Sequence, residues 1–124
     1  MKKRTKGLAS AGIKLISDIP NTIAGNIIAK QLVRCATSVG ANYRAVCRAR
    51  SKADFIAKLN IVLEEADETA YWLEIAAESE MMSPEKINPL LNETNEIISI
   101  LVASIKTSKN KMEEKSKSVF DQVT

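Results

Sequence analysis

The sequence contains no histidine, which removes the commonest general acid–base and metal-ligating side chain from the chain. It has two cysteines, and two cysteines alone cannot build a four-ligand zinc site within one chain. No glycine-rich phosphate loop and no nucleophile motif occurs in it. We therefore predict no enzyme activity, no metal and no cofactor, and we expect the protein to work by binding.

Long apolar runs are also missing. No stretch of about 18 apolar residues occurs, so we expect no membrane-spanning helix. The basic start is followed by a segment that carries Lys14 and Asp18, which argues against an export signal.

Cys35 and Cys47 lie on one predicted helix, roughly 18 Å apart, which is too far for a disulfide bond. Unpaired thiols are typical of the cytoplasm, which is the predicted location.

Only four glycines and three prolines interrupt the 124 residues, and this scarcity favours long helices. We predict helices over about 6–19, 22–50, 52–81 and 84–108, with starts at Asn21 or Thr22, at Ser51 and at Ser83. The connections are short, which indicates antiparallel neighbours. The predicted fold is thus an all-α, up-and-down four-helix bundle over residues 1–110, followed by a frayed or disordered polar tail at 111–124.

Charge is distributed very unevenly along the chain. The net charge is only +3, yet residues 22–53 carry six basic and no acidic side chains. Residues 54–85 carry nine acidic side chains and one basic side chain. This opposition of charge is the most informative feature of the sequence, because blocks of like charge are often interaction surfaces.

A rotation of 100° per residue places the basic residues of helix 2 on one face and its apolar residues on the opposite face. We call the basic residues, with their continuation into the next turn, the basic ridge: Lys30, Arg34, Arg44, Arg48, Arg50 and Lys52. Its length and charge suit the phosphates of a nucleic acid, with the N-terminal lysines assisting. Two alternatives stay open: a simple solvated face, or a ridge neutralised by helix 3 acids within or between subunits.

Helix 3 carries a second apolar strip beside its core face. Ile61, Trp72 and Ile75 form this strip next to Glu68, and together these four residues predict an oligomer interface. The alternative is a helix that lies centrally and packs on two sides.

On helix 2, the mid-helix Gly40 indicates a close approach of a neighbouring helix.

Four segments resemble the bacterial four-helix-bundle family, also called the 23S rRNA intervening-sequence proteins: Ser38–Ala45, Arg48–Phe55, Glu64–Thr69 and Tyr71–Glu74. The resemblance implies an up-and-down bundle that assembles as a homopentamer. The family is also similar to the accessory variability protein of diversity-generating retroelements, which binds nucleic acid and a reverse transcriptase through basic surfaces. Arg44 and Ala45 stand where one common form of the motif has an acidic residue and glycine. The resemblance implies no catalytic residues.

Two functions follow from these observations. The first is a homo-oligomeric bundle that binds RNA or DNA, structured RNA above all, through the basic ridge. Few aromatic residues are present, so we expect weak sequence specificity and a steep salt dependence. The second is a protein-interaction scaffold whose basic and acidic faces pair between subunits or with partner proteins.

Overall fold

A computed structural model describes residues 1–123, and over that range the chain forms four α-helices and no strand. They are α1 (Lys2–Ile16), α2 (Ile23–Val46), α3 (Lys52–Glu78) and α4 (Pro84–Val123). The predicted all-α class and the number of helices are confirmed. None of the helices, over the residues described, contains a segment long and apolar enough to cross a membrane.

Neighbouring helices run in opposite directions. A Cβ atom built on Gly12 of α1 would lie 3.0 Å from the Ala36 side chain of α2, and one built on Gly40 of α2 would lie 3.1 Å from the carbonyl oxygen of Thr5. The close approach predicted from Gly40 is therefore present. Helix α3 packs against α2 and α4, and α1 also contacts both α2 and α4. The four helices thus form a closed square around one core.

The core contains the apolar positions that helical periodicity selects. On α2 the predicted core face is buried throughout: Ile28, Leu32, Cys35, Val39 and Val46. Three threonines are also buried, Thr5, Thr69 and Thr94. Each hydroxyl donates to a backbone carbonyl of the preceding turn, at 2.7 to 3.0 Å. These hydroxyl donors are therefore satisfied within their own helices.

The predicted helix starts agree with the structure. The Thr22 hydroxyl accepts a hydrogen bond from the backbone N–H of Gly25, and the Ser51 hydroxyl accepts one from Asp54, each at 3.0 Å. These are N-caps, which satisfy one of the free N–H groups in the first turn. Helix α4 begins at Pro84, whose missing N–H costs nothing at the first helical position.

The helix ends differ more from the prediction. Helix α2 ends at Val46 instead of residue 50, because the chain must reverse before Ser51 caps α3. Helix α3 ends at Glu78 instead of residue 81, and Glu80 adopts a left-handed conformation with φ of 60°. The Met81 N–H then bonds to the carbonyl of Ala76 and the Glu80 N–H to that of Ala77, as in a Schellman motif. Helix α1 spans 2–16 rather than 6–19.

Helix α4 is much longer than predicted. It continues to Val123, so the segment expected to be a frayed tail is helical, while Thr124 lies outside the described residues. After Pro89 the helix contains no glycine or proline, and Glu113 stands four residues before Lys117, a spacing that favours helix. The 40 residues span about 60 Å against about 40 Å for α3, so the last turns extend past α3.

Candidate nucleic-acid interface

The structure divides the basic ridge between a helix and a turn. Lys30, Arg34 and Arg44 lie on the outward face of α2, and about 21 Å of helix separates the first from the last. Arg48 and Arg50 lie in the turn at 47–51, which the prediction had assigned to the helix, and Lys52 begins α3. All six side chains are exposed. The ridge is therefore a surface that follows α2 and then continues around one end of the bundle.

Arg34 is neutralised within its own subunit. Its guanidinium donates a hydrogen bond to the Glu68 carboxylate and lies 3.4 Å from that of Glu65, both on α3. The hydrogen bond raises the pKa of Arg34 and lowers the pKa of Glu68. The alternative in which helix 3 acids neutralise the ridge within a subunit thus holds for this residue.

The other five cations are not paired in this way. Among the side chains that the structure describes, no carboxylate lies within 4.0 Å of the charged nitrogens of this set: Lys30, Arg44, Arg48, Arg50 and Lys52. Lys52 Nζ lies 5.8 Å from the ring centroid of Phe55, within the range of a cation–π contact. Their charges are therefore available to an anion from solution.

One acid stands inside the basic turn. Asp54 accepts hydrogen bonds from the Lys58 ammonium and from the backbone N–H of Arg50. Lys58 first, and then the Arg50 backbone, hold the pKa of Asp54 below its usual range. Because Lys58 already compensates this carboxylate, the turn with Arg48, Arg50 and Lys52 keeps its positive charge.

The predicted oligomer strip on α3 is divided by the structure. Ile61 is 46% exposed, whereas Trp72 and Ile75 are half-buried and pack against the subunit's own core. Glu68, the fourth predicted residue, pairs with Arg34. Trp72 Nε1 is buried and makes no hydrogen bond of ordinary geometry, although it lies near enough to Glu68 to contribute slightly to the low pKa of that carboxyl.

Sequence reasoning missed several exposed apolar side chains, of which three lie on α2 and α3. Ile23 is 85% exposed, Ile27 is 53% exposed, and Tyr71 on α3 is 52% exposed. The first two share the outward face of α2 with Lys30, as the rotation of 100° per residue shows. Helical periodicity alone places them opposite the core and does not distinguish a solvated face from a contact surface. The N-terminal part of this face is therefore apolar and the C-terminal part is basic.

No group of three or more cysteine, aspartate or glutamate side chains is placed to hold a metal ion anywhere in the described part of the chain. The acidic residues of α3 lie on different faces of the helix, and two of them, Glu65 and Glu68, form ion pairs with Arg34. The surface is thus suited to electrostatic contact with an anion.

The fold and this surface together define a four-helix bundle with a cationic outer face. The chain belongs to the 23S rRNA-intervening sequence protein family, whose model matches residues 1–103. The resemblance seen in the sequence is confirmed. The match ends within α4, before the turns that extend past α3.

A similar solved structure is a protein of unknown function from the S23 ribosomal protein family of Bacteroides thetaiotaomicron. It is 38% identical, with a TM-score of 0.78, and the match covers 85% of this chain and 97% of that chain. A comparison with curated proteins gave no match. The matched family is not a known family of enzymes.

Proposed function

We propose that the protein is a non-catalytic, homo-oligomeric bundle that binds structured RNA through contacts with its phosphates. The observation that carries this proposal is a set of five exposed cations that have no carboxylate partner among the described side chains: Lys30 within α2, and Arg44, Arg48, Arg50 and Lys52 at and near its C-terminal end. The family is described by an intervening sequence of 23S rRNA, so ribosomal RNA is the first ligand to test.

The physics of such a surface determines how it would bind. Lysine and arginine contacts to phosphate release counterions, so affinity falls steeply with salt and depends little on sequence. Base stacking has little support at the basic ridge, because its neighbours Tyr43 and Phe55 are half-buried against the core. The exposed Tyr71 lies on α3 among acidic residues. We therefore infer recognition of backbone shape and charge rather than of bases.

Self-association is the second part of the proposal. Ile23, Ile27, Ile61 and Tyr71 expose large apolar surfaces that an assembly would cover. The resemblance implies five subunits. The residue pattern of α3, and not the resemblance, predicts Ile61, Glu68, Trp72 and Ile75 at the interface, and Ile61 is the most exposed of these four. Light scattering of the purified protein tests this part, since a monomer at micromolar concentration would contradict it. The free thiols favour the cytoplasm as the compartment.

The RNA-binding part is tested by fluorescence anisotropy with a labelled RNA hairpin. Arg48→Glu combined with Arg50→Glu is expected to weaken binding and to reduce the salt dependence. Lys14→Glu combined with Lys86→Glu makes the same change in net charge at the other end of the bundle and is the matched control. Absence of binding by the unchanged protein at low salt, or equal losses in both variants, would overturn the proposal.

A protein-interaction scaffold is the second candidate. The observation that favours it is the pairing of Arg34 with Glu65 and Glu68, which shows that basic and acidic faces already meet within a subunit. The outward acids of α3, such as Glu64 and Glu74, remain exposed. If the oligomer dissociates at high salt while the protein binds no RNA at low salt, this candidate replaces the first.

A further inference from the structure

The antiparallel topology gathers charge of one sign at each end of the bundle. Arg34 meets Glu65 and Glu68 near the middle of α2 and α3, which divides the molecule into two halves. Along α1, α2, α3 and the turns that join them, one half holds 1–9 and 36–63, and the other holds 10–35 and 64–83. The first half carries nine basic side chains and one acidic side chain, and the second carries three basic and eight acidic side chains. Helix α4 crosses this division, since its Glu93 and Glu96 contact Arg4. A small net charge thus conceals a strong polarity along the bundle axis.

Within the basic half, α1 and α2 enclose a groove of about 570 Å³. Its charged lining consists of Lys2, Lys3 and Lys6 from α1 and Arg44 from α2. The remaining lining residues are small and uncharged: Ala9, Thr37, Gly40 and Ala41. None of the residues that line this groove is acidic, so four positive charges surround one shallow channel.

The close packing of the two helices shapes the channel. Gly40 has no side chain, and this lets the Thr5 carbonyl of α1 approach closely, since a Cβ atom there would lie 3.1 Å from that oxygen. The floor is therefore made of backbone and small side chains. Lys2 and Lys6 stand four residues apart, so they lie on the same side of α1 with about 6 Å of helix rise between them.

The N-terminus of α1 adds to the positive potential of the same place. Its first turn contains no acidic residue and its N-cap makes no side-chain hydrogen bond. The free N–H groups of a first turn carry partial positive charge and favour anions. This adds to the field of the four side chains without supplying any contact to a base.

We propose that the groove between α1 and α2 holds one strand of a nucleic-acid phosphate backbone. The inference rests on the proposed function and deepens it, because it assigns the ligand class as phosphodiester and extends the binding surface from α2 onto α1. Lys2 and Lys6 contact phosphates from one side and Arg44 from the other. The strand then continues toward Arg48 at the turn.

The test compares Lys2→Glu/Lys6→Glu with Lys14→Glu/Lys86→Glu, both in the full chain. Lys2→Glu places an acid in the first turn of α1, where it favours the helix, and Lys6 is exposed. The groove variant is therefore expected to fold, which circular dichroism checks. Affinity for a labelled RNA hairpin is measured by anisotropy over a series of salt concentrations. The groove variant is expected to bind more weakly and to lose about 2 from the slope of log affinity against log salt, one for each phosphate contact. The control is expected to keep its slope.

The outcomes separate this inference from the proposed function. Arg48→Glu/Arg50→Glu could weaken RNA binding while Lys2→Glu/Lys6→Glu binds as the control does. That result would overturn the role of the groove and leave the RNA-binding function standing. If the unchanged protein binds no RNA at low salt, both are overturned. A loss of slope in the groove variant alone supports the groove directly.

Discussion

Arg34 of α2 donates a hydrogen bond to the carboxylate of Glu68 on α3, across the interface where these two helices pack against each other. Glu65 lies 3.4 Å from the same guanidinium. Ten residues further along α2, Arg44 has no such partner among the described side chains and lines the groove with α1. Two arginines that look equivalent in the sequence therefore have different charges available to a ligand.

This difference gives a first prediction. Arg34→Gln is expected to change RNA affinity little, because its charge is already compensated by two carboxylates. Arg44→Gln is expected to weaken binding and to lower the salt slope by about 1, since a free phosphate contact is lost. Anisotropy with the same RNA hairpin measures both. A larger loss for Arg34→Gln than for Arg44→Gln would show that the pairing with α3 does not protect this position.

The end of α3 gives a second prediction. Glu80 has φ of 60°, a left-handed conformation that costs a residue with a Cβ atom more than it costs glycine. Glu80→Gly is therefore expected to raise the free energy of unfolding by roughly 1 kcal/mol. Ser79→Gly is the matched control, because Ser79 has φ of −85° and is expected to lose stability as glycine. Urea denaturation measures the free energy of unfolding of both variants. Equal changes in the two would contradict the left-handed conformation assigned to Glu80.

Helix α2 gives a third prediction through its glycines. A Cβ atom on Gly25 would lie 2.0 Å from the carbonyl oxygen of Pro20, so Gly25→Ala forces the preceding turn to move and is expected to destabilise the fold. On α1, Gly7 has nothing within 4 Å of the same position. Gly7→Ala is expected to stabilise by up to about 1 kcal/mol through helix propensity. Urea denaturation is expected to give changes of opposite sign in the free energy of unfolding for the two variants. Stabilisation by Gly25→Ala would contradict the packing described.

Much of the fold was predictable because local signals and periodicity agree. Thr22, Ser51 and Pro84 mark helix starts by side-chain chemistry that the sequence displays. The helix ends were harder, since neither the turn after Val46 nor the Schellman motif at Glu80 contains glycine or proline. The length of α4 was underestimated because a polar composition was interpreted as disorder, although its lysines and glutamates are good helix formers.

The candidate site was only partly predictable. Periodicity placed Arg34 and Arg44 on one face of α2, but it carries no information about what a neighbouring helix brings to that face. The pairing of Arg34 with Glu68 depends on the register between α2 and α3, which tertiary packing sets. The groove beside Arg44 depends likewise on the approach of Thr5 to Gly40. Both contacts join residues that are far apart in the sequence, so periodicity within one helix does not predict them.

Acidification gives a fourth prediction. Arg34 lowers the pKa of Glu68 and Arg4 lowers that of Glu93, so the folded state favours both ionised carboxylates. The stability they contribute is present above the unfolded pKa of 4.5 and is lost as the pH falls through the lower folded values. With no histidine in the chain, the melting temperature is expected to stay flat between about pH 5.5 and pH 7 and to fall below about pH 4.5.

Differential scanning fluorimetry across this range provides the measurement. Glu68→Gln combined with Glu93→Gln is the comparison, because glutamine does not titrate and the acid-dependent fall is expected to become shallower. A melting temperature that rises on acidification, or a fall of the same steepness in the double variant, would contradict the role of these two pairs.

On this account, nucleic-acid phosphates bind to the cations at and near the C-terminal end of α2: Arg44, Arg48, Arg50 and Lys52. The most direct measurement is the slope of log affinity against log salt for an RNA hairpin, compared between the unchanged protein and Arg44→Glu/Arg48→Glu. We expect binding at about 50 mM salt that weakens steeply by about 200 mM, and a slope smaller by about 2 in the variant. No binding at the lower salt concentration, or the same affinity and slope in the variant, would contradict the claim.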